Sequence, residues 1–271
     1  MNTTSRTPKA LCEGIKDLLD KELHAKPSEE LCSKGTALAL GGDGAKAMLN
    51  MNLVPIIETM WRLIATNWVE AECQWRGNEN WRWIPRPNLG VERQNTSEEV
   101  QLNRTLAGKL PPERWANEIP TASGLAEKGG KEPGGLDLAC IRDALPDRVC
   151  MIELKIGSNN PVSAAFQIVT YGLMLNLSRL VHKRLLHDKG PITIADAWRN
   201  AKHADLRVLA PTEFYSEYPK LGWFEDQLNA AVVAFGNTQK LGMSFGFRCF
   251  DEAPTDEHQM LVALDRRVEW I

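Results

Sequence analysis

Three residues that could bind a metal ion or transfer a proton lie on two predicted strands that follow each other in the middle of the chain. Asp137 is the one acid in the otherwise apolar run 136–141, and Glu153 and Lys155 stand two residues apart in the apolar run 149–156. Alternate residues of a strand face the same side of a sheet, so Glu153 and Lys155 are expected to share a face. A buried carboxylate is costly unless a positive charge meets it, which makes these acids candidates for a site.

Antiparallel pairing of the two segments would bring both carboxylates together, because opposite or diagonal residues lie close enough to bind one ion. Carboxylates favour hard cations, so Mg²⁺ or Mn²⁺ is the expected cofactor. Lys155 would then lie beside the metal, where its ammonium can orient an attacking water or hold a phosphate oxygen. The plainer alternative is a cross-strand ion pair between Asp137 and Lys155.

The surrounding pattern predicts a helix, three strands, a helix and a further strand. A helix from about residue 97 has one apolar side and stops at Pro111 and Pro112. Asn160 and Pro161 open the second helix, since proline fits the first helical turn. The predicted core elements are the helix 97–110, the strands 116–123, 136–141 and 149–156, the helix 160–186 and the strand 206–210.

The remaining segments complete an α/β fold with a mixed sheet flanked by helices. Periodic apolar residues predict further helices at 10–35, 54–75 and 223–235, and closing strands at 243–250 and 260–268. We therefore expect an N-terminal helical region of unknown role over residues 1–90, followed by one domain over residues 91–271.

The order of elements and the three residues resemble the PD-(D/E)xK nuclease superfamily, whose restriction-endonuclease-like core is a helix, three strands, a helix and a strand. That family places an Asp on the second strand and (D/E)xK on the third, where Asp137 and Glu153-Leu154-Lys155 stand here. The next helix contains Gln167-Ile168-Val169-Thr170-Tyr171, similar to the QxxxY motif of the branch with phage lambda exonuclease and RecB-type nuclease domains. Leu136 replaces the Pro of the motif name, and the resemblance covers about residues 95–215.

The resemblance implies a metal held by Asp137, Glu153 and the backbone carbonyl of Leu154. It also implies a further glutamate from the first core helix, for which Glu99 is the choice and Glu98 and Glu92 are the rivals.

The same resemblance gives roles to the other motif residues. Lys155 would orient the attacking water, and Gln167 and Tyr171, one helical turn apart on one face, would support the phosphate or the lysine. The implied activity is Mg²⁺- or Mn²⁺-dependent hydrolysis of phosphodiester bonds, of DNA rather than RNA, in defence, repair or recombination. The alternative is that Gln167 and Tyr171 are ordinary polar residues of an amphipathic helix without a role in a site.

Aromatic and basic residues outside the core pattern suggest contacts with other molecules. Tryptophans seven residues apart predict a packing face for the core or a partner, and the stretch 81–87 could stack on nucleotides or simply cover the core. The basic end of the long helix could follow a phosphate backbone or be solvated. The residues concerned are Trp61, Trp68 and Trp75, then Trp81, Arg82, Trp83 and Arg86, then Arg179, His182, Lys183 and Arg184.

Composition narrows the class of protein. The formal net charge of −3 gives no global attraction to nucleic acid, so a polyanion would need a local basic surface. The six cysteines form no CxxC pair and the five histidines no HxxxH spacing, which predicts reduced thiols and disfavours a Cys/His zinc site. The polar start and the absence of a long apolar run predict a cytoplasmic protein without a membrane span.

Two other functions remain open at this level. The chain could be a catalytically silent binding or scaffold protein on a nuclease-like fold, because fold does not fix function. It could also be a nuclease subunit that acts only within a larger assembly, or a homo-oligomer, with the Trp-rich N-terminal helices as the docking face.

Overall fold

A five-stranded mixed sheet with helices on both faces forms the centre of the protein. The computed structural model describes residues 10–23, 52–71, 80–81, 83, 97–121, 135–142, 145–157, 160–181, 198, 200–216, 218 and 221–270. Within them the helices are α1 Ile15–Glu22, α2 Val54–Glu70, α3 Glu98–Ala107, α4 Pro161–Leu180, α5 Thr212–Ser216, α6 Gly222–Thr238 and α7 Glu257–Asp265. The strands are β1 Trp115–Pro120, β2 Gly135–Arg142, β3 Leu145–Leu154, β4 His203–Pro211 and β5 Gly242–Phe250. The expected α/β class with a mixed sheet is confirmed.

The strands lie side by side in chain order, from β1 to β5. β1, β2 and β3 pair antiparallel, whereas β3, β4 and β5 pair parallel. A parallel neighbour requires a crossover, and α4 supplies it between β3 and β4 while α6 lies between β4 and β5. The change from antiparallel to parallel pairing therefore occurs at β3, the strand that carries Glu153.

Each face of the sheet packs against its own apolar core. Met151, Leu206 and Phe247 belong to the larger core, which α1, α2, α4 and α6 cover. Ile152, Leu154 and Leu209 belong to the smaller core, which α3 and α7 cover. Neighbouring residues of one strand thus enter different cores, as the pleat of a sheet requires.

Helix α4 is buried on nearly every side, which explains why its sequence is apolar almost throughout. Asn160 caps its first turn through Oδ1, which accepts from the Ser163 amide at 2.8 Å, and Pro161 follows as the first helical residue. A Cβ at Gly172 would lie 2.8 Å from the Leu206 side chain, so this glycine allows α4 to approach β4 closely. The approach brings the preceding turn, Gln167 to Tyr171, toward the sheet.

The predicted closing strand over 260–268 is wrong. Residues Glu257–Asp265 form α7, whose Asp256 side chain caps the Gln259 amide, and beyond it an isolated bridge joins Arg248 to Arg267. Met260, Ala263 and Leu264 are its buried residues, and their spacing of three and four is helical rather than alternating.

The other predicted elements are present with shifted ends. The helix expected to reach Trp75 ends at Glu70 and the one expected to reach 110 ends at Ala107, while the strand expected from 206 begins at His203. Of the helix expected over 10–35, the structure describes Ile15–Glu22, and residues 24–35 lie outside the described part. Among the described helices, none is both long and apolar enough to cross a bilayer.

Candidate active site

Asp137 and Glu153 lie one position beyond the last pair of the antiparallel ladder between β2 and β3. The ladder pairs Cys140 with Cys150 and Leu138 with Ile152, so the next opposing positions are Asp137 and Glu153. Opposed residues of an antiparallel pair project from the same face, and this parity places both side chains on the face that α4 covers. Asp137 is held in place because its Oδ2 accepts a hydrogen bond from the Leu154 amide at 2.8 Å.

The Lys155 ammonium bridges two carboxylates. Its Nζ lies 2.7 Å from Glu153 Oε1 and 3.0 Å from Glu99 Oε1. The Lys155 amide donates to the Leu209 carbonyl at 2.9 Å, which ties this residue to β4 just beyond the end of β3. Lys155 is 2% exposed and Glu153 is 1% exposed, so this ion pair is shielded from solvent.

One oxygen of the Glu153 carboxylate is left over from this pairing. Glu153 Oε2 is buried and has no hydrogen-bond partner among the described residues. Burial, followed by the nearby charge of Asp137, raises the pKa of Glu153 well above its ordinary value, against the effect of Lys155. A buried carboxylate oxygen in this position is costly unless a proton or a cation meets it.

The pKa values of Asp137 and Lys155 are also raised. Burial raises the pKa of Asp137 to about 6, although the Lys155 charge and the Leu154 amide oppose the shift. Burial alone would lower the pKa of Lys155, but the Glu153 and Asp137 carboxylates outweigh it and the pKa rises. Strongly perturbed groups gathered at one place are typical of functional sites.

Gln167 and Tyr171 form a polar pair on α4 beside these groups. Gln167 Nε2 donates to Tyr171 Oη at 3.3 Å, across one turn of the helix. Burial and then the Glu153 charge raise the pKa of Tyr171, while Gln167 lowers it. The influence of Glu153 on Tyr171 indicates that the pair belongs to the neighbourhood of Asp137, Glu153 and Lys155.

Glu99 is close to the site, but its described contact is with the lysine. Its side chain reaches Lys155 from the first turn of α3, whereas the rival Glu98 is exposed. The second rival, Glu92, lies outside the described residues. The predicted metal-binding role of Glu99 therefore stays a prediction.

Asn103, Asn117 and Glu118 are neighbours of the site that the sequence did not reveal. Asn103 Nδ2 donates to the Asp137 carbonyl at 3.0 Å, and Asn117 Nδ2 donates to Asn103 Oδ1 at 3.2 Å. Glu118 has a φ of 47°, which is uncommon for a residue other than glycine. The β1–β2 ladder skips this residue, since it pairs Asn117 with Leu138 and then Ile119 with Leu136. The Asp137 carbonyl is thus held by a side chain of α3 at the point where the ladder is irregular.

The two described tryptophans of the stretch that could have stacked on nucleotides pack against the core instead. Trp81 and Trp83 are buried, and both rings pack against Trp198 at centroid distances of 5.5 and 5.6 Å. Trp81 Nε1 also donates to Ser178 Oγ on α4 at 2.8 Å. Trp68 is buried and Trp61 packs on Phe235, so these two belong to a packing face.

The predicted basic end of the long helix is described only in part. Arg179 is half-buried, its Nε has no hydrogen-bond partner among the described residues, and burial lowers its pKa. Lys183, Arg184 and His182 lie outside the described residues, as do Trp75, Arg82 and Arg86. A phosphate-binding role for this end of α4 therefore stays a prediction.

The donors at the site suit a hard cation. Asp137 and Glu153 offer carboxylate oxygens only, one of them buried and unpaired, and such ligands favour Mg²⁺ or Mn²⁺. Over the described part of the chain, no group of three or more His, Cys, Asp or Glu side chains that could hold a metal ion is found. A two-carboxylate site is still usual for Mg²⁺, because this ion keeps several of its water ligands.

Comparison with known proteins finds no significant match to a protein-family model, to a curated protein or to a solved structure.

Proposed function

We propose that this protein is a Mg²⁺- or Mn²⁺-dependent nuclease with a PD-(D/E)xK active site on a restriction-endonuclease-like core. The succession α3, β1, β2, β3, α4 and β4 agrees with the helix, three strands, helix and strand of that core. The observation that carries the proposal is the buried unpaired oxygen on Glu153, whose other oxygen contacts Lys155. Extending the β2–β3 ladder by one pair sets Asp137 opposite Glu153.

Asp137 and Glu153 would hold the metal, with the backbone carbonyl of Leu154 as the further protein ligand. When bound, the ion would supply charge stabilisation to the phosphate and lower the pKa of a coordinated water. The Leu154 amide fixes Asp137 Oδ2, which restrains the carboxylate before any ion arrives. The two acids are thereby held on one face of a rigid sheet.

Lys155 and the α4 pair are placed to act on the substrate. The ammonium just beyond β3 contacts Glu153 and Glu99, and its third N–H donor can orient a water or hold a phosphate oxygen. Gln167 and Tyr171 present an amide and a hydroxyl from the covering helix, which can support the phosphate or Lys155. Gln167 and Tyr171 come from a regular helix, and the Lys155 amide is tied to β4, which limits the movement of all three residues.

DNA is the substrate that we propose, following the branch that the Gln167-to-Tyr171 motif resembles. The net charge of −3 gives the whole molecule no attraction to a polyanion, so binding would depend on local groups. Arg179 with Lys183 and Arg184 is the proposed contact with the phosphate backbone, and a partner protein at the Trp-rich N-terminal helices stays a further proposal.

Cleavage assays with matched variants test this function. Purified wild type with Mg²⁺ or Mn²⁺ should cleave single-stranded, duplex or branched DNA, and Asp137→Asn should lower the rate by about a thousandfold or more. Asp265→Asn is the control, since this exposed carboxylate pairs with Arg142 and belongs to α7; it should leave the rate within about threefold.

An RNA substrate in the same series separates the two nucleic acids. No cleavage of any substrate, together with no heat of Mn²⁺ binding in calorimetry, would count against the nuclease and in favour of a silent scaffold on this fold.

A further inference from the structure

The Lys155 ammonium is the positive charge that contacts Glu153 in the metal-free site. It is 2.7 Å from Glu153 Oε1 and 3.0 Å from Glu99 Oε1, and it is 2% exposed. Because Glu99 comes from α3 and Glu153 from β3, this one positive charge joins a helix to the sheet across the site. The remaining oxygen, Glu153 Oε2, has no partner among the described residues.

Two cations close to one carboxylate repel each other strongly in a shielded environment. A divalent ion on Glu153 would therefore weaken the ion pair that Lys155 makes there, and the lysine would oppose the ion equally, since such coupling is reciprocal. Glu99 offers the ammonium a second carboxylate from a different element, so the ammonium can leave Glu153 and stay within the site.

We propose that Lys155 is the resident counter-cation of the metal-free site, and that Mg²⁺ or Mn²⁺ is bound only as its ammonium withdraws from Glu153 toward Glu99. The proposal rests on the proposed function and deepens it, because it gives the lysine control over metal affinity. Metal binding then delivers the ammonium, free of Glu153, to the place where a water or phosphate would be held. The lysine limits the affinity of the site for the ion that it assists.

Calorimetric titration with Mn²⁺ tests the proposal without any measurement of activity. Lys155→Met removes the charge and keeps an apolar stem, and it should bind Mn²⁺ at least about tenfold more tightly than wild type. Arg142→Met removes a charge that pairs with Asp265 at 2.9 Å, at the end of β2 far from Asp137; it should change the affinity by less than about threefold. Lys202→Met, far more exposed, should change nothing measurable.

A second measurement on wild type keeps the proposal open to refutation if Lys155→Met does not fold. Acylation of lysines by an amine-reactive ester, read by mass spectrometry, should modify Lys155 faster in the presence of Mn²⁺. Only the neutral amine attacks the ester and displaces its alcohol, and an ammonium that has left Glu153 and lies near a divalent ion gives up its proton to solvent more readily. Lys202 should react at the same rate with and without the metal. An unchanged Lys155 rate in a protein that does bind Mn²⁺ overturns the proposal.

The titrations separate this inference from the nuclease itself. Equal Mn²⁺ affinities in wild type and Lys155→Met, or equal tightening in Arg142→Met, overturn the counter-cation role and leave the proposed function standing. If neither wild type nor Lys155→Met binds Mn²⁺, the proposed function fails and the inference falls with it.

Discussion

Two charged clusters on opposite faces of one sheet differ in how their carboxylates are satisfied. The Asp205 cluster consists of Arg148, Asp205, Arg207 and Ser244, and the Asp137 cluster consists of Glu99, Asp137, Glu153 and Lys155. Cys150 pairs in register with Asp205, three residues before Glu153 on β3, so the Asp205 and Glu153 side chains project from different faces. Both clusters include residues of β3, but the pKa values of their carboxylates shift in opposite directions.

The Asp205 carboxylate is surrounded by donors. Arg148 donates to both of its oxygens at 3.0 and 2.6 Å, and Arg207 and Ser244 donate to Oδ1 at 3.0 and 2.6 Å. Burial alone would raise the pKa of Asp205, but His203 and these donors outweigh it and hold the pKa well below its usual range. This carboxylate is satisfied as an anion, which suits a structural role.

In the Asp137 cluster two carboxylates face one ammonium, which is itself shared with Glu99. The pKa values of Asp137 and Glu153 are raised rather than lowered, because burial outweighs the positive charge. The comparison teaches that the number of donors around a partly or fully buried carboxylate decides whether its pKa is raised or lowered. A carboxylate that lacks donors costs stability, and such a cost is typical of sites that bind or react.

The largest effect on stability is expected from Asp205→Ala. Removal of this carboxylate leaves Arg148 and Arg207 without the anion that they share, and a broken, largely buried ion pair is strongly destabilising. We expect the free energy of unfolding to fall by about 3 kcal/mol in urea titrations at pH 7.

Glu153→Gln is the matched control on the other face. It should cost less than about 1 kcal/mol in metal-free protein, because the neutral amide relieves the repulsion with Asp137 while Lys155 keeps Glu99. If Glu153→Gln were as costly as Asp205→Ala, the two clusters would be structurally equivalent and the contrast between them would be lost.

The pH dependence of stability should separate the clusters by sign. The pKa of Asp137 is raised to about 6 in the folded protein, so its contribution is fully present below its unfolded pKa near 4 and is lost as the pH rises through about 6. Asp137→Asn should therefore match wild type at pH 4 and exceed it by about 2 kcal/mol at pH 7, in urea titrations with a chelator present.

Asp205 should show the reverse behaviour. Its lowered pKa contributes stability above the unfolded pKa near 4, and that contribution is lost as the pH falls further. An Asp137→Asn variant whose advantage over wild type is greatest at acid pH would contradict the raised pKa of this group.

A smaller effect is expected from Asn103→Ala, which removes a positioning contact. The change deletes the donor to the Asp137 carbonyl and the acceptor of the Asn117 amide, and it should cost about 1.5 kcal/mol of unfolding free energy. Because Asp137 loses its support, Mn²⁺ affinity should also weaken by about threefold or more, measured by calorimetry.

Asn229→Ala provides the comparison for that variant. Asn229 Oδ1 accepts from the Phe245 amide at 2.9 Å on the edge strand β5, so it too satisfies a backbone group of the sheet. Its loss should cost about 1 kcal/mol and leave Mn²⁺ affinity unchanged. Equal weakening of Mn²⁺ binding in both variants would mean that Asn103 acts only through overall stability.

The sequence predicted the opposed acids because their signal is local. Each acid lies in a short apolar run, and a period of two together with a single turn between β2 and β3 limits where the acids can meet. The Gln167–Tyr171 pair on α4 could be predicted for the same reason, since residues four apart share a helix face. Motifs carried by one element or by two adjacent ones can be predicted in this way.

Asn103 and Asp205 could not be predicted, because their partners are distant in the chain. Asn103 binds a backbone carbonyl 34 residues away, and Asp205 collects donors from β3, β4 and β5, so no spacing in the sequence indicates either contact. The positive φ of Glu118 depends likewise on its surroundings. The wrong prediction over 260–268 has another cause: Met260-Leu261-Val262 suits a strand locally, whereas the segment forms a helix that Asp256 caps.

The smallest effect should come from a charge pair outside both clusters. Glu58 and Arg62 stand one turn apart on α2 with a closest N–O distance of 4.0 Å, and their side chains are 53% and 68% exposed. Solvent screens such a pair, so Glu58→Gln should change the unfolding free energy by less than about 0.5 kcal/mol, and added salt should reduce even that. A loss comparable to that of Asp205→Ala would show that the presence of a charge pair, rather than the number of buried donors around a carboxylate, governs stability in this fold.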